Sequence, residues 1–104
     1  MNIRVSVFDE AILFEFPFGS KKIIVIQTEI NGGKNTTFVD IDEFGNHKVE
    51  TYTNDTWTHS GFLVCYLFNL GIANNAAEKI KKNLDKALEL RDKQVRGTVF
   101  NFEV

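Results

Sequence analysis

The stretch Lys22-Ile23-Ile24-Val25-Ile26-Gln27-Thr28-Glu29-Ile30, then Asn31-Gly32-Gly33-Lys34, then Asn35-Thr36-Thr37-Phe38-Val39-Asp40-Ile41-Asp42 reads as two strands joined by a tight turn. Asn and Gly tolerate the positive φ that turns between twisted strands require, so the turn falls at residues 31–34 and the return strand spans Thr36 to Asp42. Ile23 to Ile26 is apolar at consecutive positions and therefore on both faces, which places this strand in the middle of a sheet.

The pattern extends in both directions. Toward the N-terminus, Ile12, Phe14 and Phe16 alternate with Leu13 and Glu15 until Pro17-Phe18-Gly19-Ser20 closes the strand. Before them, Ile3, Val5 and Val7 alternate with Arg4, Ser6 and Phe8, and Asp9-Glu10 turns the chain. Toward the C-terminus, Glu43-Phe44-Gly45-Asn46 forms a turn and His47 to Thr53 a fifth strand. Five consecutive antiparallel strands make a meander.

After Thr53 the period changes. Asn54 or Asp55 can cap a helix, and Trp57 to Leu70 lacks turn residues apart from Gly61. Periodicity alone does not separate helix from buried strand across Phe62 to Ala73; Gly71, at a natural helix C-terminus, favours helix. Asn74-Asn75 offers a second cap. Ala77, Ile80, Leu84, Ala87, Leu88 and Arg91 then form one stripe of an amphipathic helix, with Lys79, Lys81, Lys82, Asp85 and Lys86 turned away and Gly97 as its stop. Thr98 to Val104 alternates like a last strand with either face inward. Strands followed by helices predict an α+β fold, an antiparallel meander with two helices packed on one face and a C-terminal strand, in one domain over 1–104.

Composition limits the function. With 104 residues, 12 basic against 14 acidic side chains and a single Cys, the chain is expected to bury a core without disulfides, zinc or any cofactor. It is not a strongly basic nucleic-acid binder, and no apolar run approaches the roughly 20 residues of a membrane span. The opening Met-Asn-Ile-Arg enters the strand pattern directly, so a cytoplasmic location is expected.

Catalytic signatures are absent. His59 and Cys65 are separated by about 600° of helical rotation and cannot form a nucleophile–base pair, and His47 lacks an evident partner. Cys65 reads as a small buried hydrophobe. Asp40-Ile41-Asp42-Glu43-Phe44-Gly45 has the beginning of a calcium loop, but Phe44 stands at the fifth position instead of Asp or Asn and Thr51 at the twelfth instead of Glu, so no bidentate carboxylate closes the site. An ordinary hairpin with Asp42 capping its own turn fits better. Glu15 and Glu29 offer carboxylates on adjacent strands without a constellation around them, so no enzyme is expected.

Charge is unevenly divided. Residues 1–55 hold five basic against nine acidic side chains, and 56–104 hold seven against five. Asp40, Asp42, Glu43, Glu50 and Asp55 gather in the strand half with only Lys48 among them. Phe18 and Phe44 sit in turns, where an aromatic ring can anchor an interface. The expected function is therefore protein binding, with an inhibitor or adaptor docking this acidic surface on a basic partner without touching nucleic acid or membrane directly. Size, Asn/Ile/Lys/Phe-rich composition and charge resemble those of short phage and mobile-element proteins that block host defence nucleases, as anti-CRISPR proteins do, although no motif identifies a family. Self-association into a homodimer and small-ligand binding are the alternatives.

Overall fold

Local pattern becomes architecture in a computed structural model that describes residues 2–17, 21–30, 33–54, 59–93 and 97–104. The meander is β1 (Asn2–Val7), β2 (Ala11–Glu15), β3 (Lys22–Ile30), β4 (Gly33–Ile41) and β5 (His47–Asn54); then come α1 (His59–Asn69), α2 (Asn74–Asp92) and β6 (Val99–Glu103). One antiparallel sheet has the order β5-β4-β3-β2-β1-β6, so β6 returns beside β1 and the fold is α+β.

The apolar strand β3 lies centrally, as its composition implies. Only one of its faces is covered, however. Ile23 and Val25 are buried, whereas Ile24 and Ile26 are half-exposed on the other side of the sheet. Gly33 pairs with Ile30, so β4 begins before the expected Thr36; Asn31 and Gly32 lie outside the described residues.

Alternation selects the covered face. Ile3, Val5 and Val7 of β1, Ile12 and Phe14 of β2 and Phe38 of β4 are almost wholly buried against the helices. In α2 the buried residues are Ala77, Ile80, Leu84 and Ala87, the expected stripe. The last strand turns Phe100, Phe102 and Val104 toward the core and exposes Val99, which settles its face.

The segment after β5 is helical. Gly71, at φ 81°, donates to the carbonyl of Phe68, and the next amide, Ile72, donates to Leu67 at 3.0 Å. These two bonds close α1 in a Schellman end with Ile72 packed on the core. Gly71→Ala, forced to the same positive φ, is expected to lower stability by about 1 kcal/mol, read as a shift of the urea midpoint.

Three expected punctuation points fall elsewhere. Asn54 ends β5 rather than capping α1, while Asp55 and Trp57 lie outside the described residues. Ala73 occupies the cap position of α2 without a side-chain cap bond, because α2 already includes Asn74; the Asn75 side chain accepts instead from the neighbouring amide of Ala76. The helix stops at Asp92, where the Lys93 amide bonds back to Glu89, well before Gly97.

Candidate functional site

The connection between β4 and β5 is built around one side chain. Asp42 Oδ1 accepts from the amides of Phe44 and Asn46, both at 2.9 Å, and Oδ2 accepts from the Asn46 side chain at 3.2 Å. The Asp42 amide donates to the Asn46 carbonyl, and Gly45, at φ 82°, donates to the Asp42 carbonyl. Asp42 thus caps its own turn. Partial desolvation alone would raise its carboxyl, but the bonds from Asn46 and Phe44 and the nearby Lys21 charge outweigh it and hold the group below its ordinary range. It stays ionised in the turn. At the tip, Phe44 is 81% exposed, the most open of the large apolar side chains among the described residues. Gly45→Ala, held to a positive φ, is expected to cost about 1 kcal/mol of stability.

The remaining acidic residues divide. Asp40 shares the parity of Phe38 and faces α1, where Oδ2 accepts from the Tyr66 hydroxyl at 3.0 Å and pairs with Lys21 at 3.2 Å. Its side chain is only 12% exposed. Glu50 pairs with Lys48 at 2.9 Å and accepts from the Tyr52 hydroxyl, which in turn accepts from Asn69. The Lys48 hydrogen bond lowers the Glu50 carboxyl, and the same bond raises the Lys48 ammonium. Asp42, Glu43 and Phe44 are therefore together at the turn, whereas Asp40 and Glu50 serve the junction between sheet and α1. Phe18 and Asp55 lie outside the described residues.

That junction is aromatic. Phe38 stacks on Tyr66 with centroids 4.6 Å apart and meets Tyr52 edge-on at 5.5 Å; Tyr52 stacks on Phe62 at 5.9 Å. Burial first, then the Asp40 charge, pushes the Tyr66 hydroxyl far above its usual range. Sequence reading missed the roles of Tyr66 and Lys21. The signal available was the spacing of Phe38 and Asp40: residues two apart in a strand share a face, so an inward Phe38 brings Asp40 with it.

Beside the turn lies an open recess of about 230 Å³ lined by Lys21, Asp40, Asp42, Asn46, His47 and Lys48. Among the described residues, no group of three His, Cys, Asp or Glu is arranged to hold a metal ion. Cys65 is half-buried rather than enclosed. No described helix is long and apolar enough to cross a membrane.

No family model, curated protein or solved structure matches this chain.

A second surface emerges only from the strand register. On the face away from the helices, Val49, Val39, Ile24, Leu13, Ser6 and Val99 lie opposite one another in a single row crossing all six strands. Val49 is 57% exposed and Val99 47%, and the aliphatic side chains between them are half-exposed. The next row on one side includes Lys22, Glu15 and Arg4, with Arg4 Nε 3.9 Å from Glu15. The next on the other includes Ile26 and Ala11.

Proposed function

We propose that this chain is a non-catalytic protein-binding module that seats Phe44, flanked by the Asp42 and Glu43 carboxylates, on a basic surface of a partner protein and so works as an inhibitor or adaptor. The observation that supports it is the exposure of Phe44 on a turn already fixed by Asp42. An exposed ring on a rigid support binds with little ordering cost, and two adjacent anionic groups steer it toward cationic surface. Blocking of a host defence nuclease by a phage or mobile-element protein is the finer form of this reading, supported by composition and charge.

Capture from a lysate of the source organism with matched baits tests it. A partner with a basic surface is expected on wild type, retained less as salt rises, and depleted at least tenfold on Phe44→Ala or Glu43→Lys baits. Asp42→Asn keeps the Oδ1 acceptor while removing the charge, so it should give an intermediate loss. Equal capture by all baits contradicts the reading. Asp40 is a poor site for charge reversal, because a Lys there would sit against Tyr66 and Lys21 and disturb the fold.

A further inference from the structure

An antiparallel sheet with one face in water ordinarily turns polar residues outward. Here β2, β3 and β4 turn Leu13, Ile24 and Val39 outward in register, while both helices occupy the other face. The row continues to the exposed Val49 and Val99 at the two edges. Broken only at β1 by Ser6, which is itself buried, an apolar band of this kind marks a surface that is covered in use.

We propose that a second copy of this chain covers it, in a symmetric dimer whose two-fold axis lies between the two sheets, parallel to the strands and along the line between β2 and β3. This inference is independent of the role of the turn. The residue pattern across that line is self-complementary. The rotation lays Ile24 on the partner's Leu13, Val49 on the partner's Val99 and Val39 on the small Ser6 of the partner subunit, and it sets the larger Ile26 against the smaller Ala11 of the partner subunit. It also brings Lys22 over the partner's Glu15 and Glu15 over the partner's Lys22, giving two reciprocal ion pairs at the rim of the apolar row.

Charge decides the direction of the axis. A two-fold running along the apolar row, across the strands, would exchange its two flanking rows and press Lys22 and Glu15 onto Ile26 and Ala11, leaving ions desolvated against aliphatic surface. The strand-parallel axis preserves each row and pairs Lys22 with Glu15; only Arg4 then lies over an aliphatic side chain, the partner's Ile41, and its exposed, long side chain can keep the guanidinium in water. The sheets would cross at about 30° because each is twisted, about 10 Å apart.

The available area suits a reversible dimer. Six strands about 4.8 Å apart and three rows of outward side chains present a face of roughly 30 by 20 Å, or about 600 Å² per copy. Two such faces approach the lower end of specific interfaces, near 1,200 Å² in total, so dissociation at about micromolar concentration is expected. Preserving the rows also leaves both β4–β5 turns at the same end of the dimer, one at each side, and makes the assembly bivalent toward a partner that repeats.

Sedimentation equilibrium of the full chain from about 1 to 300 μM, a range set by the micromolar expectation, tests the proposal. Wild type is expected to pass from monomer to dimer and no further. Ile24→Lys, at the centre of the band, should raise the dissociation constant at least a hundredfold with the circular dichroism spectrum unchanged. Lys22→Glu should raise it about tenfold by setting like charges over Glu15 of the other copy, and the exchange Lys22→Glu with Glu15→Lys should restore it to within about threefold. This charge exchange keeps the test decisive even if Ile24→Lys does not fold. Phe44→Ala should leave the constant unmoved, separating this surface from the turn. A wild type that stays monomeric throughout, a dimer indifferent to both Ile24→Lys and Lys22→Glu, or open-ended growth through the strand edges would overturn the proposal.

Discussion

Phe38→Ala is expected to lower the unfolding free energy by about 3–5 kcal/mol, a large share of the roughly 5–15 kcal/mol that holds a domain of this size. Phe38 is wholly buried on β4 and stacks on Tyr66 of α1 at 4.6 Å while meeting Tyr52 of β5 edge-on. Truncation removes the transfer free energy of the ring and both aromatic contacts, and it leaves a cavity. The Asp40–Tyr66 hydrogen bond pins Tyr66 from one end, so the walls have little freedom to collapse inward. The measurement is the urea midpoint at unchanged slope, with Phe44→Ala, exposed at the turn tip, remaining within about 0.5 kcal/mol of wild type. A loss below about 1 kcal/mol for Phe38→Ala would show that the aromatic junction does not clamp α1 to the sheet.

Alkali should unfold the protein through the same junction. In the unfolded chain Tyr66 titrates near 10.0; in the fold, burial foremost and then the facing Asp40 carboxylate raise it far above that value. Below pH 10 the hydroxyl is protonated in both states and its stabilisation is complete. Above pH 10 the unfolded chain releases the proton while the fold retains it, so stability declines by about 1.4 kcal/mol for each further pH unit. Tyr52 adds to the decline, since burial raises it as well, although the Asn69 hydrogen bond opposes that effect. Urea midpoints at about pH 8, 10 and 11, spanning the ordinary tyrosine value, should show the fall in wild type and a much shallower one in Tyr66→Phe. At neutral pH Tyr66→Phe should cost only about 1 kcal/mol, because Asp40 keeps Lys21. Parallel alkaline slopes for the two proteins would mean that the Tyr66 hydroxyl is not held protonated by the fold.

The parts of this structure that were legible in the sequence are those written in local periodicity. Ile3-Val5-Val7 and Ile12-Phe14 named the covered face by alternation, the helical stripe from Ala77 to Ala87 named the buried side of α2, and Asp42 announced its own turn. Phe44 was legible as a turn aromatic for the same reason. Asp40 and Glu50 were grouped with the turn because they are close in sequence. In a strand, however, parity rather than proximity decides direction, and both follow Phe38 and Tyr52 toward α1.

Of the apolar row only the β3 member was legible, in the two-faced run Ile23 to Ile26 that left self-association open. Leu13, Ile24, Val39 and Val49 belong to four strands, and only the register brings them level. The apolar run in β3 correctly implied a central strand but not that its second face stays open, since a buried strand and a strand awaiting a partner have the same composition. Tyr66 is hidden in the stretch Phe62 to Ala73, its hydroxyl having no sequence neighbour to betray a partner on β4.

The claim that the turn is a binding anchor is tested most directly by association and dissociation rates of the captured partner, measured by surface plasmon resonance between about 20 and 300 mM salt, a range that spans strong and weak screening. For wild type the association rate should fall steeply with salt; Glu43→Lys should slow it and flatten that dependence, and Phe44→Ala should instead speed dissociation at least tenfold with little change in association. Rates for both variants that coincide with wild type across the salt range would contradict the account.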